Sequence, residues 1–432
     1  MLALIVLLSI LFSTTTVLSV RASDRLSANI NTLLEQHKIA RLGGSQRLED
    51  PQEVSSNSFT YSSMLVQPPG DAYIIITDQT DSGCNAALEK LANLHHGRLI
   101  HCDDFRLLPT NINIRAGIVR ELREAKPEFV AIAPRLGSFT ENVVLSFWQM
   151  LCNVGNGKIN VFPAFLVARD AEGLQRLIDQ SLVADRDQTA TNTAFSAVTI
   201  AQSAGQPAGG TRAVQKAAFV EDLFKQLKVP CDTMIVRMKN ASPERYPQLA
   251  TLGCFDVGKD GLVHELAPAP NRAVTNARLL TMFGHGSPGM TCSLQVAAFR
   301  QIPFEHKIVL CGSCFSCYPP YSDLPPCSRV DSECFFGRAI ENGARVFYGH
   351  MRLNPGFPIM FIAMESLLQG ECVGQSYQRV LNVVIAHSPI STKDLIFNPQ
   401  QLNDEKAISD RDNFLVIMIG DPAAHPFTAN SF

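Results

Sequence analysis

LLTMFGHGSPG, from Leu279 to Gly289, and KIVLCGSCFSC, from Lys307 to Cys317, are two versions of one pattern. Each is a short apolar run that stops abruptly at a reactive residue beside glycine. Leu279–Phe283 leads into Gly284, His285, Gly286 and Ser287, and Ile308–Leu310 leads into Cys311, Gly312, Ser313 and Cys314. Apolar runs of this length, bounded by turn residues, suit strands buried on both faces of a parallel sheet. Loops at the carboxyl ends of such strands are where α/β proteins build sites. If the two strands are neighbours, an imidazole (His285) and a thiol (Cys314) share one edge, which is the minimum equipment for thiol nucleophilic catalysis.

The flanking sequence extends the same grammar. Toward the N-terminus, strand patterns at Ala72–Thr77, Arg98–His101, Phe129–Ala133 and within Ile159–Val167 alternate with helical spacing at Ala86–Leu94, Ile112–Ala125 and Ala171–Leu182. A second series follows: strands at Ser196–Ile200 and Thr233–Arg237 with a helix over Ala213–Leu227, and a turn between short extended pieces over Val257–Leu262. After the two site strands come a helix over Ser332–Asn342 closed by Gly343, a strand over Ala344–Tyr348, helices over Phe357–Leu368 and Gly374–His387, and a last strand over Phe414–Ile419. Alternation of this kind predicts two α/β subdomains with mainly parallel sheets flanked by helices. The boundaries fall at 70–187 for the first and 188–432 for the second.

Residues 23–69 begin with helical spacing and pass into a Ser-, Gln- and Pro-rich stretch that reads as an N-terminal segment and linker. Residues 1–22 are mostly apolar to Val20 but interrupted by Thr14, Thr15 and Thr16, with Arg21 and Ala22 before Ser23. This pattern predicts a cleaved secretory signal peptide, although the n-region lacks Lys and Arg and Leu2–Val20 is almost long enough to serve as an anchor. The expected location is therefore secreted, extracellular or periplasmic, with no stable membrane insertion.

With 432 residues and 46% hydrophobic content the chain can bury a sizeable core. The formal net charge of −3, without a concentrated basic run, leaves no electrostatic footprint for nucleic acid. Twelve cysteines in an exported chain predict one to three disulfides at most; Cys317, Cys327 and Cys334 read mainly as structural, with disulfide bonding one option for them. Cys311, Cys314 and Cys317 also have CxxCxxC spacing, so a metal or redox cluster is a rival to the nucleophile. No complete second CxxC or HxxxH pair accompanies it. No EF-hand loop is present, and neither a metal nor an organic cofactor is expected. Asp331 and Glu333 read as helix N-terminal partners, and Asp421 as the stabiliser of the turn at Gly420-Asp421-Pro422.

The order Phe283-Gly284-His285-Gly286-Ser287, then an apolar strand ending in Cys314-Phe315-Ser316, then Gly420-Asp421-Pro422, resembles the gingipain family of caspase-like-fold cysteine peptidases. The resemblance covers roughly Asp71 to Phe427. It implies a caspase-like catalytic subdomain, with His285 as general base and Cys314 as nucleophile. The backbone N–H groups of Gly286 and Cys314 would form the oxyanion hole. In such folds the strand end after Tyr348 helps bind the peptide, which makes His350 and Arg352 candidate substrate-binding residues; for Arg352 a surface arginine is the default reading. The family often has an aromatic residue shortly after HGS, where this chain has Pro288 to Cys292, and glycine where this chain has Cys317. An acidic residue to orient the histidine would be expected near Asn160, and no carboxylate is there. The expectation is thus a Cys–His dyad hydrolysing peptide bonds in protein or peptide substrates. A catalytically inactive binding or surface protein on the same scaffold is the alternative.

Overall fold

The computed structural model describes residues 64–187, 196–202, 209–238, 251–257, 276–292, 294–296, 304–324, 334–353 and 357–427. Its centre is an 11-stranded sheet in the order β2-β1-β3-β4-β14-β13-β12-β8-β5-β6-β7. The strands are β1 (Ala72–Thr77), β2 (Arg98–His101), β3 (Pro127–Ala133), β4 (Phe162–Phe165), β5 (Ala197–Gln202), β6 (Cys231–Met238), β7 (Thr251–Val257), β8 (Leu279–Phe283), β12 (Ile308–Cys311), β13 (Val346–His350) and β14 (Val416–Ile419). Between β8 and β12 a separate three-stranded antiparallel flap contains β9 (Gly286–Ser287), β10 (Met290–Thr291) and β11 (Leu294–Gln295).

The helices are α1 (Ser82–Leu94), α2 (Ile112–Ala125), α3 (Glu141–Val154), α4 (Ala171–Asp187), α5 (Gly209–Gln226), α6 (Phe335–Glu341), α7 (Phe357–Leu368), α8 (Val373–His387) and α9 (Glu405–Arg411). Their ends follow local chemistry. The Asp81 side chain accepts from Cys84 N–H at the start of α1, and Asn111 accepts from Ile114 N–H at the start of α2. After α6, Gly343 takes a left-handed φ of +92°, which explains the glycine read as a helix stop.

Parallel pairing runs from β2 to β4 and from β13 to β7, and β14 is antiparallel to β13. The sequence-predicted mainly parallel α/β architecture is therefore present, as one continuous sheet. β14 connects the two strand groups: Ile419 pairs with Phe347 on one side and with Phe165 on the other. Buried aromatic rings fill the join. The Trp148 indole N–H donates to Phe414 C=O at 2.9 Å, and its ring meets Phe165 and Tyr377 edge-on.

Several elements differ from the sequence expectation, and α9 and the β9–β11 flap were not anticipated at all. α3 was not anticipated, although Asn142, Ser146, Gln149 and Asn153 recur at helical spacing along one side of it. The last strand begins at Val416 rather than Phe414, which sits in a 3₁₀ turn over Asp412–Leu415. β7 occupies Thr251–Val257, where only a short extended piece near Val257 was expected. Residues 1–22, the 187/188 boundary's C-terminal side, Cys327, Asp331 and Glu333 lie outside the described residues.

Candidate active site

β8 and β12 are adjacent and parallel, with Met282 opposite Cys311. His285 and Cys314 each stand three positions beyond that pair, so the topology brings both to one sheet edge. Gly312 N–H donates to Met282 C=O at 2.8 Å, extending the register one residue past β12. His285 is exposed and Cys314 half-buried.

Gly286 is where the two loops touch. A Cβ built there would lie 2.0 Å from the Cys314 carbonyl oxygen and 2.5 Å from Ser313 Oγ. Only glycine permits that approach. The residue after the histidine thus packs on the backbone of the candidate nucleophile. Ser313 Oγ also accepts from Cys292 N–H at 3.3 Å, tying the flap to the same turn. Sequence reading missed this role of Ser313; its place between Gly312 and Cys314 was the available signal.

Beyond Cys314 the chain turns sharply. Phe315 has φ of +56°, a left-handed conformation that bulky residues rarely adopt. The turn is held by the end of β13. Phe315 N–H donates to Arg352 C=O at 2.8 Å, Cys317 N–H donates to His350 C=O at 2.9 Å, and His350 N–H donates to Ser316 Oγ at 3.0 Å. Gly349 allows this docking, since a Cβ there would meet Ser316 Oγ at 2.6 Å.

His350 and Arg352 are brought to the site edge by this docking, but their side chains do not line an open substrate surface. His350 is 0% exposed, and neither ring nitrogen has a hydrogen-bond partner. Burial, with a contribution from the Lys216 charge, lowers its pKa to about 3, so the ring is neutral. Alternation along β13 explains this: the strand is buried on both faces, so every side chain through His350 points into the protein. Arg352 is buried as well. Its Nη1 lies 4.0 Å from Glu141 Oε1, its Nε lies 3.7 Å from Asp412 Oδ1, and its guanidinium carbon lies 5.8 Å from the centre of the Phe315 ring. Both readings of Arg352, as a substrate contact and as a surface residue, are corrected by this placement.

The cysteines also correct an expectation. Among the described residues ten are free, including Cys311, Cys314, Cys317 and Cys334. A chain with this much buried apolar surface does not need covalent staples. Cys311 and Cys317 are fully buried on either side of Cys314, so the CxxCxxC spacing does not present three thiols together. No group of three His, Cys, Asp or Glu among the described residues is arranged to hold an ion. Burial pushes Cys152, Cys231, Cys334 and Cys372 up to about 12 and Cys84 to about 11, and holds Cys292 and Cys317 well above the ordinary thiol value. These thiols are poor nucleophiles at neutral pH.

Asn160 precedes β4, whose Phe162 packs against Gly374, and Gly374 N–H donates to Pro422 C=O. Pro422 follows the end of β14, which is antiparallel to β13, so Asn160 is at the opposite edge from Cys314. Beside the nucleophile turn, a cleft of about 600 Å³ is lined by Arg106, Thr140, Asn142, Tyr321 and Asp323. That volume lies in the usual range for ligand sites. On the flap side, Met290, Phe315, Tyr318 and Phe335 close around about 10 Å³, room for roughly one water.

No family model matches the chain, and no curated protein sequence matches it either. Solved structures do. The complex of Porphyromonas gingivalis RgpB pro- and mature domains is similar at 13% identity and a TM-score of 0.51, covering 82% of this chain and 79% of the other. The chain has the fold of that gingipain. A structure described as a protease is similar at 12% identity and a TM-score of 0.49, covering 83% of this chain and 79% of the other. No helix among the described residues is long and apolar enough to cross a membrane.

Proposed function

We propose that this chain is a cysteine peptidase, with Cys314 as nucleophile and His285 as general base. The observation that carries the reading is the contact of Gly286 with the Cys314 backbone, at the ends of adjacent parallel strands. It places the residue after the imidazole against the residue that bears the thiol. Cys314 is also the one thiol of the 311–317 turn that is not fully buried.

The chemistry is two-step acyl transfer. His285 takes the Cys314 proton, and Sγ adds to the peptide carbonyl carbon. The oxyanion is met by the backbone N–H groups of Gly286 and Cys314. Collapse breaks the C–N bond, His285 delivers the proton to the leaving amine, and a thioester remains. Water, deprotonated by His285, then attacks the thioester and releases the carboxylic acid and the thiol. No cofactor takes part. The substrates are proteins or peptides, and the chain acts after export, with residues 1–22 removed. N-terminal sequencing of secreted protein should begin at Ser23.

The test is alkylation of the full reduced chain with limiting iodoacetamide, mapped by mass spectrometry. Cys102 and Cys231, which are also partly exposed, serve as internal controls. Cys314 should react at least about tenfold faster than either, and His285→Ala should remove the advantage. Peptide hydrolysis should disappear in Cys314→Ala. If Cys314 is no faster than Cys102, the inactive-scaffold alternative replaces the peptidase.

A further inference from the structure

The nucleophile turn is gripped from a distant part of the chain. Glu141, the first residue of α3, is fully buried. Its Oε1 accepts from Ser322 Oγ at 2.6 Å and its Oε2 from Asp323 N–H at 3.0 Å. Asn142 N–H in turn donates to Asp323 Oδ2 at 3.2 Å. These contacts hold the far end of the segment that starts at Cys314. The near end is held by Arg352, whose carbonyl accepts from Phe315 N–H and whose guanidinium lies over the Phe315 ring. The same guanidinium sits between Glu141 and Asp412. Phe315 is the strained residue directly after the nucleophile.

We propose that Arg352, suspended between Glu141 and Asp412, is the positioning residue of the nucleophile turn, and that the charge of this buried cluster sets how firmly Phe315 and hence Cys314 are held. The inference rests on the peptidase reading for its catalytic meaning, although the mechanical link is independent of it. A guanidinium suits the task because its planar fork addresses two carboxyls while its face covers an aromatic ring.

The cluster is also sensitive to pH. Burial raises Glu141 to about 7, against the lowering effect of its hydrogen bonds from Ser322 and Asp323. Burial raises Asp412 to about 7, with Arg352 lowering it and Glu141 raising it further. Asp323 is the remaining charged group facing Glu141. Two carboxyls around one cation therefore titrate as a set near neutrality. With one proton bound the cluster is neutral; when that proton leaves, two anions compete for Arg352.

The experiment is hydrogen–deuterium exchange on the full chain from pH 6 to 8, corrected for intrinsic exchange, alongside Cys314 alkylation. Arg352→Met should speed exchange in the 313–324 segment at least about tenfold while β1 and β3 stay unchanged. It should slow Cys314 alkylation by a similar factor, with Arg352→Lys recovering part of it. Glu141→Gln keeps one oxygen acceptor for the Ser322 and Asp323 donors, gives up the other, and should flatten the pH dependence of exchange in 313–324. A folded Arg352→Met with wild-type exchange in that segment overturns the proposal. Should that variant fail to fold, an unaltered pH dependence in Glu141→Gln overturns it instead. Absence of selective Cys314 alkylation in wild type, with exchange responding as stated, defeats the peptidase reading and leaves the positioning cluster standing.

Discussion

Two buried polar clusters sit at opposite edges of the sheet, and they are built differently. Away from the site, Tyr73 Oη donates to Asp421 Oδ1 at 2.8 Å, His95 Nε2 is 2.9 Å from Asp421 Oδ2, and Ala423 N–H donates to Asp421 Oδ1 at 3.1 Å. The Tyr73 and His95 rings stack at 4.4 Å. At the site edge, Arg352 stands 3.7 and 4.0 Å from its two carboxyls, longer than hydrogen bonds. The first cluster is saturated by short directional contacts and ties β1, α1 and the end of β14 into one body. In the second, Glu141 accepts short bonds from Ser322 and Asp323 but Arg352 meets both carboxyls at longer range, and burial raises those carboxyls to about 7. A saturated network resists change, whereas one held by longer ionic contacts responds to protonation.

The sharpest way to break the comparison is at the site itself. Gly286→Ala should cut Cys314 alkylation by about a hundredfold, because the new methyl cannot coexist with the Cys314 carbonyl and the turn must shift. Thermal unfolding should move little by comparison, since the flap is a peripheral sheet of two-residue strands.

Asp421→Ala should do the reverse. It strands the Tyr73 hydroxyl, whose deprotonation burial and Asp421 already oppose, and should cost about 2–4 kcal/mol in denaturant unfolding. Cys314 reactivity in the folded protein should be unchanged, and a parallel loss of reactivity would show that the two edges are coupled.

His350 and Glu141 give opposite pH signs. The His350 pKa is depressed in the folded state, so its contribution is present above the unfolded value near 6.5 and is lost as pH falls. His350→Phe should therefore stabilise the protein at pH 5, by a few kcal/mol, more than at pH 8. Glu141 is raised, so its contribution is full below the unfolded value and declines as pH rises toward about 7. Glu141→Gln should remove on the order of 1–3 kcal/mol of that decline, read from urea unfolding at pH 5 and 8. The smallest effect belongs to His95→Gln, at roughly 1 kcal/mol or less, because the His95 ring is partly exposed and the Tyr73 bond to Asp421 remains.

The alternation of strands and helices was legible because it is a local property. Ala72–Thr77, Arg98–His101, Ile112–Ala125 and Leu279–Phe283 carry their patterns in adjacent residues. α3 was not read, because its polar stripe of Asn142, Ser146, Gln149 and Asn153 is narrow and apolar residues occupy most of the other positions. The state of the cysteines was not legible either. Whether two thiols can meet is settled by distances between elements, and composition pointed to disulfides that the described cysteines do not form.

From its sequence alone, this chain declares an α/β protein and two apolar strands that deliver a histidine and a cysteine beside glycines, because short-range pattern and turn chemistry encode strands and their ends. Only tertiary structure decides which thiol of Cys311, Cys314 and Cys317 reaches the surface, that Gly286 makes room for the Cys314 carbonyl, and that His350 faces inward. It alone brings Glu141 and Asp412 to Arg352. Burial and charge pairing depend on residues far apart in the chain, and no local pattern carries that information.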